Sequence, residues 1–124
     1  MLVFVIGSAL RSRGVDQAAL GLRFVRETTT APRYRLYSLE ERWAALVEDE
    51  QAGVAVAGEL VEIDDARWPE IVASEPPGIT PGPVQLLDGA MVTAALGDPV
   101  HLVQHAVEIT EFGGFAAYLD SREA

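Results

Sequence analysis

Apolar residues run without a break through Leu-Val-Phe-Val-Ile at positions 2 to 6 and stop at Gly7. An uninterrupted run of this kind predicts a strand covered on both faces. After a short helical or loop stretch around Gly14 to Gly21, RFVRETTT (23 to 30) is rich in strand formers and ends at Ala31-Pro32. YRLYSL (34 to 39) sets Tyr34, Leu36 and Ser38 against Arg35, Tyr37 and Leu39 and predicts a further strand. Beyond the polar Glu40-Glu41-Arg42, WAALVED fits either a strand or a helix and is read as a strand. GVAVAGELVEI (53 to 63) predicts a long strand, with a bulge at Gly58, that ends at Asp64-Asp65.

Those aspartates are N-cap candidates for a helix over 66 to 74, with Trp68, Ile71 and Val72 on one face and Pro69 in the first turn. EPPGITPGP (75 to 83) reads as a rigid loop over the body of the domain. Two apolar runs joined by Asp88-Gly89 predict a β-hairpin over 83 to 96, because that dipeptide accepts positive φ. Asp98-Pro99 opens a predicted helix over 98 to 108. Phe112, Phe115, Tyr118 and Leu119 form an aromatic stripe for a terminal helix that starts after Gly113-Gly114. Six or seven strands with two or three short helices, not alternating regularly, favour a compact mixed α+β barrel over a doubly wound parallel sheet.

The chain has 124 residues, 49% of them hydrophobic, which suits one domain over 1–124 with its own core. There is no cysteine, so neither a disulfide nor a thiolate site can form. No apolar run has the length of a membrane span and no export signal is visible, so a cytoplasmic protein is expected. The net charge of −10 is unevenly spread: residues 1 to 42 hold seven Arg against four acids, and the rest two Arg against fifteen. Nucleic acid is disfavoured as a partner, since it demands a broad basic face. The early arginines are expected either to pair with the later acids or to build a local anion site. With no lysine in the chain, Schiff-base and phosphate-loop lysine chemistry are excluded.

The loop after the first strand, Ile6-Gly7-Ser8-Ala9-Leu10, has neither the glycines and lysine of a phosphate loop nor the G-x-S-x-G of a nucleophile elbow. Its small residues leave backbone N–H groups free to hold an anion or a carbonyl oxygen. His101 and His105 stand one helical turn apart, with Glu108 further on, but no third ligand is evident and a solvated or packed pair is expected. Glu75, between a small-residue helix end and the proline-rich segment, is placed to be a general acid or base if it borders an apolar cavity.

LGLRFVRETTTAPRYRLYSL (20 to 39) is similar to the signature of the C-terminal domain of allophanate hydrolases, and ITEFGGFAAYL (109 to 119) resembles that domain's closing motif. GELVEI, the Pro/Gly segment and VQLLDG fall between them in matching order. The resemblance implies a γ-glutamylcyclotransferase-like fold, a small β-barrel with a substrate cavity at one end. It places Ile6, Gly7, Ser8, Ala9 and Leu10 at the substrate-binding loop and Glu75 at the acid/base glutamate. Arg33, Tyr34 and Arg35 are the accompanying candidates for a substrate carboxylate. Ile6 stands where cyclotransferases have tyrosine, residues 6 to 20 lack the histidine of the hydrolase domain, and the amidase half is absent. Two functions follow. One is an enzyme acting on a small carboxylated amide or urea-like compound, or on γ-glutamyl amides; the other is a non-catalytic binding domain serving a separate amidase. The expected ligand is a small molecule, with no metal or cofactor, and a homodimer is left open.

Overall fold

The N-terminal apolar run forms strand β1 (Leu2–Val5) of a computed structural model that describes residues 1–123. Its side chains alternate between two cores: Phe4 joins Leu36, Leu46, Leu60 and Val84, whereas Val3 and Val5 pack with Leu22, Val61 and Ile63. Burial on both faces is what an unbroken apolar run requires.

The other strands are β2 (Leu22–Thr29), β3 (Tyr34–Leu39), β4 (Trp43–Glu48), β5 (Ala57–Ile63), β6 (Ile79–Gln85), β7 (Met91–Gly97) and β8 (Val107–Glu108). They make one mixed sheet in the order β2-β5-β1-β7-β4-β3-β8, with β6 on β7. Three helices accompany them: α1 (Trp68–Ala73), α2 (Pro99–His105) and α3 (Phe115–Glu123). An isolated bridge between Thr30 and Leu86 ties the end of β2 to that of β6, but no ladder continues it. The sheet is therefore open, and the architecture is a small mixed α+β fold of eight strands and three helices in which the expected barrel closure is not made.

Asp98 caps α2 as read from the sequence, and Asp64 caps the short 3-10 turn Asp65–Arg67 that leads into α1, whose own N-cap is Arg67. The Asp64 carboxylate accepts from the Ala66 N–H at 3.0 Å, and that of Asp98 from the Val100 N–H at 3.0 Å. Trp68 and Ile71 pack inward as expected, while Val72 turns outward. The helix at 99 stops at His105, and Val107-Glu108 pairs instead with Ser38 and Tyr37 of β3.

The largest departure is at Ile79–Gln85, expected as loop and found as strand β6. Pro81 and Pro83 stand opposite Ala95 and Thr93 of β7, on the same phase as Gln85. The backbone of Gln85 faces away from β7: its N–H donates to the Tyr34 hydroxyl at 2.8 Å and its C=O accepts from Ala31 at 2.9 Å. The two prolines thus put their missing N–H groups on the outer edge, where no ladder bond is lost.

A second departure is the bulge, which falls at Val25 between the Phe24–Val61 and Arg26–Leu60 pairs and not at Gly58. Gly58 is required for a different reason, since a Cβ there would lie 2.5 Å from the Val5 carbonyl oxygen and 2.6 Å from the Phe4 ring.

The turn between β3 and β4 sets both Glu40 and Glu41 at positive φ, 58° and 57°. Non-glycine residues are strained there. Glu41 is held by Arg122 and by the Tyr118 hydroxyl of α3, whereas Glu40 is exposed. Glu40→Gly is therefore expected to raise stability by about 0.5–1 kcal/mol, the strain relieved exceeding the entropy that glycine adds to the unfolded chain. A rise in the urea midpoint at unchanged slope is the measurement that checks this.

Candidate functional site

Strand β7 is paired on one side by β6 along its whole length, and a strand has only two edges. Its other edge is shared by two parallel neighbours, β1 at Thr93 and β4 at Leu96. Between those points lie Ala94 and Ala95, and there β1 and β4 part to open a cavity of about 380 Å³. One wall is the end of β1 and its loop, Ile6 to Ala9; Trp43 and Ala44 of β4 line it as well. The remainder comes from α1 and its flanks, with Arg67, Trp68, Ile71 and Glu75.

Gly7 sits at the seam. A Cβ at this position would lie 2.9 Å from the Ala44 backbone nitrogen and 3.0 Å from the Ala44 Cβ, so the loop can hug β4 only because residue 7 has no side chain.

Glu75 is half-buried at the end of α1, and among the described residues no cation lies within ion-pair distance of it. Burial in this mainly apolar cavity raises its carboxyl above the ordinary glutamate range.

Of the residues read from the sequence, Ile6, Gly7, Ser8, Ala9 and Glu75 meet at this cavity. Leu10, buried, turns instead to a second groove beside Thr28, Gly58 and Gly113. Arg33, Tyr34 and Arg35 are not in the cavity lining. The Arg33 guanidinium contacts Glu48 at 3.0 Å, Glu50 at 2.5 Å and the Gln85 side chain at 3.1 Å. Arg35 pairs with Glu108 of β8, and Tyr34 is buried with its hydroxyl on the backbone of Gln85. Tyr34 and Arg35 open β3, with Arg33 just before it, and β3 lies on the far side of β4 from β1 in the sheet order. His101 and His105 pack with ring centroids 4.5 Å apart, and the ring of His101 covers Gly78. Among the described residues no group of three or more His, Cys, Asp or Glu is arranged to hold a metal.

The residue the sequence reading missed is Glu59, 2% exposed on β5. One carboxylate oxygen accepts from the Arg11 N–H at 2.6 Å and from the Gln17 side chain at 2.9 Å, and the other accepts from the Ser12 N–H at 2.9 Å. It thereby caps the short helical turn at Arg11–Arg13. Gln17 also donates to the Ala9 carbonyl at 2.9 Å, so both side chains hold the loop that walls the cavity. The signal was strand phase. Glu59 shares the face of Val61 and Ile63, where a carboxylate is tolerated only with its hydrogen bonds satisfied.

Two predictions follow from these carboxylates. Glu59→Ala removes the acceptor of three hydrogen bonds, one fully buried and two part-buried, and should cost about 2–4 kcal/mol in chemical denaturation, with Glu59→Gln intermediate. Glu75 works in the opposite sense. A carboxyl raised in the folded state contributes fully below its unfolded pKa, and that contribution is lost as pH rises through the folded value. Glu75→Gln is thus expected to melt higher than the parent at neutral pH, the difference vanishing on acidification to about pH 4. Melting curves across pH measure it.

Residues 1–120 match the family model of the allophanate hydrolase C-terminal domain. A uropathogenic E. coli-specific protein of known structure is 30% identical with a TM-score of 0.85, over 96% of this chain and 94% of that one. K. lactis urea amidolyase is 22% identical with a TM-score of 0.86 over 99% of this chain, which spans only 8% of that protein. K. lactis allophanate hydrolase is 23% identical with a TM-score of 0.84 over 97% of this chain, here 21% of the longer protein. At those two identities the likeness is one of fold. No curated protein matches the chain.

Proposed function

Since the chain belongs to the allophanate hydrolase C-terminal domain family, we propose that it takes a small carboxylated amide or urea-like compound into the cavity where β1 and β4 part. The observation that carries this reading is the meeting of Glu75 with Gly7, Ser8 and Ala9 in one mainly apolar cavity. Peptide N–H groups of such a loop stabilise a carbonyl oxygen as it gains charge. A carboxyl raised by burial keeps its proton closer to neutrality and moves it between the attacking and leaving groups. Trp43 and Trp68 supply flat walls suited to a planar amide. The same cavity fits γ-glutamyl amides, the substrates that a cyclotransferase-like ancestry suggests.

A second reading is a binding domain without chemistry that serves a separate amidase. It is favoured by Ile6, buried against the core where a cyclotransferase loop carries a tyrosine hydroxyl. The place of the similar domain within the much longer K. lactis allophanate hydrolase also supports it.

The test is a thermal-shift screen with allophanate, carboxyurea analogues, γ-glutamyl amides and pyroglutamate, followed by turnover assays on each ligand that binds. Turnover abolished by Glu75→Gln at unchanged affinity is the result expected of the enzyme. Binding without turnover in the parent protein identifies the binding domain, and no binding by any of these compounds overturns both.

A further inference from the structure

The cavity needs a cation if its ligand bears a carboxylate, and the arginines first considered for that task are engaged elsewhere. Six of the nine arginines, 13, 23, 26, 33, 35 and 122, lie in ion pairs. Arg11 lies 3.8 Å over the Phe24 ring and Arg42 4.7 Å over that of Trp43. Arg67 alone among the described residues has neither a carboxylate within ion-pair distance nor an aromatic ring beneath it, in a chain with 19 acids. It is also the one arginine in the cavity lining, exposed at the mouth, at the end of the turn that leads into α1.

Its position is set by a glycine. Gly21 has φ of 77°, and a Cβ there would fall 2.6 Å from Nε, 2.7 Å from Cδ and 2.9 Å from Cζ of Arg67. The end of the arginine side chain thus lies directly on the backbone of residue 21, which serves as a shelf. A guanidinium so placed, with no carboxylate of its own chain to neutralise it, is suited to planar, two-pronged recognition of a carboxylate.

We infer that Arg67, resting on Gly21, is the carboxylate-binding residue of the cavity and selects ligands in which a free carboxylate lies one short planar amide away from the group that meets Gly7 to Ala9. This rests on the reading of the cavity as an amide site. It assigns the charge recognition to the entrance to α1, so that one short segment, residues 67 to 75, supplies both the cation at the mouth and the acid of Glu75.

Allophanate and biuret make a matched pair of probes, alike except that a carboxamide replaces the carboxylate. Calorimetric titration of the parent protein should show tighter binding of allophanate, weakening as salt is raised. Arg67→Ala, at an exposed position, should lower allophanate affinity by about tenfold or more while leaving biuret within about twofold. Arg67→Lys should fall between, because a point charge lacks the two-pronged geometry. Equal losses for both probes, or no loss for allophanate, overturn the assignment while the amide site stands. A parent protein that binds biuret at least as well as allophanate overturns it likewise. A parent protein that binds neither probe overturns this inference, and the amide site then stands or falls with the wider ligand screen.

Discussion

Strand β7 has two edges and three neighbours, and the architecture around the site turns on that constraint. With β6 occupying one edge from Ile79 to Gln85, β1 and β4 must share the other, one at Thr93 and one at Leu96. Two parallel strands on a single edge cannot both lie flat against it over the same residues, so they diverge. Ala94 and Ala95 fill the gap with small side chains, and what they leave open is the cavity. Gly7, past the end of β1, closes on Ala44 of β4. A larger residue at 7 would press on β4 and move the loop Ile6 to Ala9 that lines the cavity.

Divergent strands leave a loop without ladder partners, and its backbone must be satisfied in another way. Glu59 and Gln17 do this from the neighbouring strand and turn, by accepting from Arg11 and Ser12 and donating to Ala9. An ionisable group is thus buried in β5 to keep the adjacent main chain in place. Glu75, on the other wall, keeps no such partners and has its carboxyl raised. One fold gives two glutamates opposite environments, one saturated with hydrogen bonds and one desolvated.

The charge asymmetry along the chain has a structural outcome. Arg13, Arg23, Arg26, Arg33 and Arg35 reach acids of the later part, among them Asp120, Glu62, Asp88, Glu48 and Glu108. Most of these pairs are at the surface, where each contributes little alone. Together they pair five of the seven early arginines within the chain. The closing Phe-Gly-Gly turn is structural in the same way: Gly113 at φ 71° offers its carbonyl to Ala57, and Gly114 bridges to that residue.

The identities of β1 to β5, β7 and the three helices, the aspartate caps, the Asp88-Gly89 hairpin and the family resemblance were legible in the sequence, because each depends on neighbours a few residues away. Tertiary structure decided whether Ile79–Gln85 is loop or strand, since prolines are tolerated only where the sheet leaves an edge unpaired, and an edge is defined by distant segments. It decided likewise that Leu10, Arg33, Tyr34 and Arg35 stand apart from the cavity and that Glu59 is buried. A side chain's partner is a matter of strand order, and strand order follows from how β7 divides its two edges, which no local pattern along the chain records.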